Sequence, residues 1–533
     1  MKRIGSLLLV LVLALPALAG CTRPMQAAAT PFDALARWVS ADAEFVFFLD
    51  LRPGGEPGRH WERIRQRMEA NPAGQEALNS LLSTFRVERY GLGGLIVGPA
   101  VNWSGHGAEH LVIQVRDEGA AGDALRQHFQ DVTWEQVEYE GRTLYHGRNL
   151  DSYRQLERIA WTVDDGLLFL SDSYDQMYDR EALTTLQASL DLDQADSLAS
   201  LPAWRALRDR LPQIPMGLMF ANTAAQARRS PPPPGDTSLG AAMNQQIVAI
   251  AAAAVPEEEG MRVEIAGEVA LQPDVLPELR AMLDLPAVDP AAWTSLPADT
   301  AFALAGHDLS VLWPLLSDMF NMDALDQVRD GAGLDLEADL AGVDGPLTGD
   351  FALAVTPPLS AQPISQGLPA GQLLILAHGA SEAQAAGLQA AMESRGAVFG
   401  RKEVEGVSLQ TQVGTELTGY AISYGFDGDT FLFGSSLGVI GQAVAASREH
   451  SGLVTTAAFR AARRVLPDAP SFVVYLNCGV LTRLVQANMT DEQYQKNIEY
   501  RLLEPFEAIV LGLQLPSNGQ MNGVVYFFVG RDL

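Results

Sequence analysis

The chain resembles itself, and that constrains its fold more than any other feature of the sequence. Ala41-Asp42-Ala43-Glu44-Phe45 returns as Ala298-Asp299-Thr300-Ala301-Phe302, each time leading into an apolar run. Val137–Tyr145 is echoed by Glu403–Gln410, with Gly141 opposite Gly406, and Asp165-Gly166 by Asp427-Gly428. Ala203-Trp204-Arg205-Ala206 with Arg208 and Leu211-Pro212 recurs as Ala458-Phe459-Arg460-Ala461 with Arg463 and Leu466-Pro467. The match continues into Phe220 and Asn222 against Tyr475 and Asn477. Pro256–Leu271 shares its pattern with Pro516–Gly530. Matches in one order, at separations of 255 to 265 residues, mean a tandem duplication. A chain of 533 residues also exceeds what one hydrophobic core serves. The expected division is a first repeat over 38–285, a linker at 286–293 containing Pro286 and Pro290, and a second repeat over 294–533.

Within a repeat, apolar runs and Gly-bearing turns predict hairpins. Val137–Tyr139 pairs with Thr143–His146 across Glu140-Gly141-Arg142, and Ala160–Val163 with Leu167–Leu170 across Asp164-Asp165-Gly166. Helices are expected at 61–85, interrupted at Asn71-Pro72, and at 120–129, 174–190 and 203–211. Strands are expected at 45–51, 95–97, 111–115, 216–221 and 261–271. Ile247–Val255, which ends at Pro256, reads as a buried helix end, being too short to span a bilayer. Thr490-Asp491-Glu492-Gln493 has the form of a capping box. Hairpins mixed with helices imply α+β: two similar tandem domains, each a largely antiparallel mixed sheet with helices packed on it. Arg228–Gly240, with its four successive prolines, reads as a polyproline II surface loop.

The start of the chain carries an address. Lys2 and Arg3, the apolar run Leu7–Leu15 and then small residues follow the order of a secretory signal peptide over 1–20. Leu18-Ala19-Gly20-Cys21 resembles the lipobox of bacterial lipoproteins. That resemblance implies cleavage between Gly20 and Cys21, a diacylglycerol on the Cys21 sulfur and palmitate-type acylation. Residues 21–37 would then hold the lipidated cysteine and a tether, and the protein would sit outside the cytoplasm on a bacterial membrane. Several acyl chains matter because one alone anchors only marginally. With Cys21 lipidated, Cys478 is the only remaining cysteine and no intrachain disulfide forms.

Charge excludes further classes. With 37 Lys+Arg against 65 Asp+Glu, the net charge is −28, which argues against a nucleic-acid partner or a polybasic membrane contact. Only Lys2, Lys402 and Lys496 are lysines and none follows a glycine, so no phosphate-cradling G-K loop exists.

Chemistry-bearing motifs are few. Gly434-Ser435-Ser436-Leu437-Gly438 has the G-x-S-x-G form of a nucleophile elbow between a strand and a helix, which makes Ser436 a candidate nucleophile. The triad order fails, because the only later histidine is His450 within or just past that helix, and a small polar residue there also suits a helix cap. His106-Gly107-Ala108-Glu109-His110 spells H-x-x-E-H, so His106 and His110 are candidate zinc ligands. The flanking glycines suggest a polar hairpin loop instead of the helix that ligation requires. The acidic runs Asp191, Asp193, Asp196 and Asp335, Glu337, Asp339 lack calcium-loop spacing. The recurring arginines, Arg205 with Arg460 and Arg208 with Arg463, suit either an anion or pairing with acids. No metal and no cofactor is expected.

Pro297-Ala298-Asp299-Thr300, then Gly333–Leu340 leading to Gly349–Ala354, are similar to segments of large bacterial envelope proteins that carry a duplicated domain of unknown function. The resemblance covers most of the chain and implies architecture and location. The functional expectation is a lipid-anchored envelope protein with a non-catalytic binding or scaffolding role, its partner an envelope protein or small ligand. A solute-binding lipoprotein of a transporter and a serine hydrolase using Ser436 are the alternatives.

Overall fold

The computed structural model describes residues 31–529 except 51–54, 77–91, 93, 106–107, 131, 150–157, 174–181, 214, 230–244, 272–276, 314–333, 343–344, 359–370, 414–420, 488, 491–492, 495–497, 502 and 516–518. The signal, Cys21, His106, most of the proline-rich run and the first half of the helix expected at 174–190 lie outside the described residues. Those up to 271 form one compact unit and those from 277 onward another.

The first unit runs α1 (Pro31–Ala36), β1 (Phe45–Asp50), α2 (Gly55–Glu69), β2 (Ile96–Gly105), β3 (Ala108–Val115), α3 (Glu118–His128), β4 (Val132–Tyr139) and β5 (Arg142–Asn149). It continues through β6 (Arg158–Asp164), β7 (Leu167–Ser173), α4 (Ala182–Leu190), α5 (Pro202–Arg210), β8 (Gly217–Ala221), α6 (Thr223–Arg229), β9 (Ile247–Pro256) and β10 (Gly260–Val269). Its strands lie in the order β4-β5-β6-β7-β3-β2-β1-β8-β9-β10, every neighbour antiparallel.

The second unit begins with α7 (Pro277–Leu283) and β11 (Phe302–His307), then β12 (Asp350–Thr356), β13 (Gln372–His378), α8 (Glu382–Ser394), β14 (Phe399–Val404), β15 (Val407–Gln412) and β16 (Ser423–Asp427). After these come β17 (Thr430–Gly434), α9 (Leu437–Glu449), α10 (Ala457–Arg463), β18 (Phe472–Asn477), α11 (Cys478–Ala487), β19 (Ala508–Gln514) and β20 (Gln520–Phe528). The strand order is β14-β15-β16-β17-β13-β12-β11-β18-β19-β20, again antiparallel throughout. The two orders are the same permutation, and register follows: Phe45 opposite Ala221 and Phe302 opposite Leu476 occupy the same rung. The duplication read from short sequence matches is thus a duplication of connectivity.

The turns explain which glycines recur. Glu140 and Gly141 have φ of 48° and 79°, and Glu405 and Gly406 have 50° and 73°. Both central residues are left-handed, as a two-residue hairpin on twisted strands requires. The β6–β7 turn likewise uses Asp165 (φ 51°) and Gly166 (φ 73°). In the second unit the corresponding turn is Gly428-Asp429, between Asp427 and Thr430, so the true alignment is one residue off the Asp-Gly match. Asn222 and Asn477 both cap the helix after the central strand: Asn222 Oδ1 accepts from Ala225 N–H at 3.0 Å and Asn477 Oδ1 from Val480 N–H at 3.1 Å. Thr490 and Gln493 form the capping box that their spacing predicts.

Each core lies between one sheet face and the same helices. Ala182, Leu186 and Leu190 of α4 pack on Val112, Ala160 and Phe169, as Val439, Ile440 and Val444 of α9 pack on Leu374, Leu376 and Leu432.

Three expectations need correction. Residues 31–36, expected within the tether at 21–37, form α1, whose Phe32, Leu35 and Ala36 are buried in the first core. Ile247–Val255 is no helix end; it is β9, hydrogen-bonded between β8 and β10. Alanine favours helices locally, but tertiary pairing overrides that preference, and Ala249, Ala251 and Ala253 fit beneath Trp204 and Phe220 in the core because they are small. The segment at 286–293 is also not a free linker: Val288 N–H donates to Pro470 O at 2.8 Å, and Ala292, Trp293 and Leu296 belong to the second core. Among the described residues no helix is long and apolar enough to cross a membrane.

Candidate functional site

Ser436 is the N-cap of α9. Its Oγ accepts from Val439 N–H at 3.3 Å and donates to Gln372 Oε1 at 2.7 Å. Its φ of −154° is ordinary extended backbone, without the strain of a nucleophile elbow. His450 is the C-cap of the same 13-residue helix. At 1.5 Å per residue the two ends stand about 20 Å apart, far beyond proton-transfer reach. Gly434 is explained by packing: a Cβ there would stand 2.7 Å from Ile440 Cγ1 and 2.8 Å from Val439 Cγ1.

His110 sits in β3, opposite Trp103 of β2, and their rings stack at 4.8 Å and 13°. It is buried, with Nδ1 3.3 Å from Ser189 Oγ. His110 is on a strand, so the helical turn that brings the two histidines of an H-x-x-E-H motif onto one face is not the backbone beneath it. The acidic runs are used structurally: Asp193 caps a turn, Asp191 accepts from the Tyr139 hydroxyl, Asp335 caps Leu336–Ala341 and Asp339 pairs with Arg395. Among the described residues no group of three or more His, Cys, Asp or Glu could hold a metal. Cys478 opens α11 where Thr223 opens α6; it is fully enclosed, and burial pushes its thiol up, away from thiolate chemistry.

The recurring arginines mark the place where the two copies differ. In the first unit Arg205 Nε donates to Ala199 O at 2.8 Å. Arg208 donates to Pro212 O and Gln213 O, each at 2.7 Å, with Asp33 of α1 3.6 Å away. It is only 5% exposed, and desolvation lowers its pKa against the opposing pull of Asp33 and Asp209. Alongside, Phe32 of α1 packs on Phe48 at 5.4 Å and Trp204 on Phe48 at 5.3 Å.

In the second unit Phe459 replaces Trp204, Ala305 stands on the rung of Phe48, and Pro290–Trp293 forms a short 3-10 turn ahead of β11 in place of α1. A cavity of about 340 Å³ remains. Trp293, Phe459, Leu466 and Val473 supply its apolar walls, and Arg460, Arg463 and Arg464 line it with Asp468. Residues 460 and 463 share one face of α10 by their i, i+3 spacing. Arg464 Nε donates to Arg460 O at 3.3 Å, closing the end of the helix. Arg460 and Arg463 are exposed, and among the described residues neither has a carboxylate within ion-pair distance. A guanidinium neither gives up a proton nor accepts a bond. The arrangement therefore suits recognition of an anion beside an apolar surface. Sequence reading paired these arginines but gave no sign that one pair is tied up and the other open.

One family model matches the chain twice, over residues 106–345 and again over 330–520; its description is "Protein of unknown function (DUF3352)". The chain belongs to this family. The two DUF3352 stretches are out of phase with the compact units, the first running from β3 through β11 and the second from β12 into β20. No curated protein matches. Solved structures of TP0453, in crystal forms III and I, match at TM-scores of 0.25 and 0.24, each at 8% identity. They cover 48% and 46% of this DUF3352 chain and 88% and 82% of their own.

Proposed function

We propose that this protein is exported, anchored by lipid on Cys21 and acts in the envelope by binding, with the second repeat as its binding half. The observation that carries the reading is the asymmetry between the copies: Arg208 is buried against α1 with its donors on Pro212 and Gln213 carbonyls, whereas Arg460 and Arg463 are exposed beside a cavity of about 340 Å³. That volume is at the lower end of the range for small-molecule pockets. The lipobox around Cys21 supports the anchor, and the net charge of −28 keeps the folded part off anionic headgroups.

Two measurements on the full chain test this. Metabolic labelling with palmitate should mark the protein, and Cys21→Ser should abolish the label and release it from membranes. A neutral apolar dye such as N-phenyl-1-naphthylamine should bind with one site per chain, and Val454→Trp, which fills the cavity from its edge, should remove that site. An unlabelled protein defeats the anchor; a dye that does not bind, or binds V454W equally well, defeats the binding half.

A further inference from the structure

We infer that the cavity takes a single-chain amphiphile with an anionic head, the alkyl chain against Trp293 and Phe459 and the carboxylate or phosphate held by Arg460 and Arg463. The inference rests on the binding reading above and adds the chemistry of the ligand.

Three observations support it. The first is local inversion of charge. In a chain of net charge −28, three guanidiniums fall within five residues at one cavity, and among the described residues Asp468 is the one acid lining it. Such a cluster draws anions out of a surrounding field that repels them. The second is the state of the donors. Arg205 and Arg208 spend their donors on Ala199, Pro212 and Gln213 carbonyls, whereas Arg460 and Arg463 have no such bonds among the described residues. The same motif is thus self-satisfied in one copy and available in the other. Guanidinium forks match carboxylate and phosphate oxygens geometrically. The third is the lining and its size. The walls are aromatic and aliphatic, which gives an apolar partner directly beside the guanidiniums, and about 340 Å³ accommodates one short chain segment rather than a diacyl lipid.

The test is calorimetric titration of the full chain with dodecanoate, dodecyl phosphate, dodecyl maltoside and inorganic phosphate, all below micelle-forming concentrations. Dodecanoate and dodecyl phosphate should bind with one site per chain. Dodecyl maltoside should bind at least about tenfold more weakly, and inorganic phosphate more weakly still. Shortening the chain from dodecyl to octyl should weaken binding by roughly fourfold per methylene withdrawn from the cavity. The double variant Arg460→Gln/Arg463→Gln changes exposed residues and leaves the core intact. It should cost the anionic ligands at least about tenfold, or about 1.4 kcal/mol, and bring them level with the maltoside. Arg401→Gln, an exposed change on β14, should alter nothing. Equal affinity for dodecyl maltoside and dodecyl phosphate would overturn the anionic head while leaving the binding reading intact. Equal affinity for inorganic and dodecyl phosphate would overturn the chain. If no amphiphile binds and the neutral dye does not bind either, the parent reading falls first.

Discussion

Replacing Ser436 with alanine separates a helix cap from a nucleophile. The hydroxyl makes two bonds, one from Val439 N–H at 3.3 Å and one to Gln372 Oε1 at 2.7 Å. Losing an N-cap of this kind costs about 1 kcal/mol, and a neutral side-chain hydrogen bond adds about 0.5–1.5 kcal/mol when nothing replaces it. Ser436 is half-buried, so water recovers part of the second bond, and the expected loss is about 1–2 kcal/mol. For a unit of this size that lowers the thermal midpoint by about 3–6 °C. Thermal unfolding by circular dichroism, at a fixed scan rate, should show this drop for S436A. S436T, which retains the cap, should stay near the parent, and S436G, which suits the cap backbone but loses the bond to Gln372 Oε1, should fall by about 0.5–1.5 kcal/mol. Fluorophosphonate labelling of the same proteins supplies the second readout. A parent that labels at Ser436, together with an S436A variant of unchanged stability, would refute the cap argument and restore the hydrolase reading.

Other consequences are checked more simply. The Cys478 thiol, buried and pushed up by desolvation, should resist iodoacetamide in the native protein and react once urea unfolds the chain; rapid native labelling would contradict its placement. The Glu264 carboxyl is held above its usual range, chiefly by desolvation and against the pull of Arg262. A raised folded pKa means stability that is full below the unfolded value of about 4.3 and is given up as pH climbs through the folded one. Urea midpoints should therefore decline over that window in the parent and decline less in Glu264→Gln, and equal slopes would sink the assignment. Gly141→Ala meets no atom within 4 Å and pays only for its φ of 79°, about 1 kcal/mol. Gly434→Ala forces a contact with Ile440 and should cost more, about 1–3 kcal/mol, so an inverted order in urea unfolding would count against the packing account of Gly434.

What the sequence revealed divides along physical lines. Hairpins were readable because Glu140-Gly141 and Glu405-Gly406 leave few other conformations for the turn, α5 was readable from its helical spacing, and α10 from its match to α5. Strand β9 was not readable: Ile247–Val255 is mostly alanine, has no period of two, and owes its conformation to partners on β8 and β10. The matched arginines showed that the copies correspond but not how they differ. That difference depends on Asp33, remote in sequence from Arg208 yet 3.6 Å from it in the fold, and on carbonyls that take up the Arg208 donors. The spacing of H-x-x-E-H does not tell helix from strand, and it was Gly105 and Gly107 that argued in the sequence against the helix zinc ligation needs.

Shared connectivity gives this molecule an experimental convenience. The rungs of β1 with β2 and β8 have twins in those of β11 with β12 and β18, synthesised in the same polypeptide. Truncating Trp204 and, separately, Phe459 removes matching aromatic walls, one beside a buried arginine and the other beside exposed ones. The two responses can be set side by side with solvent, temperature and expression history common to both, and without recourse to a second protein as reference.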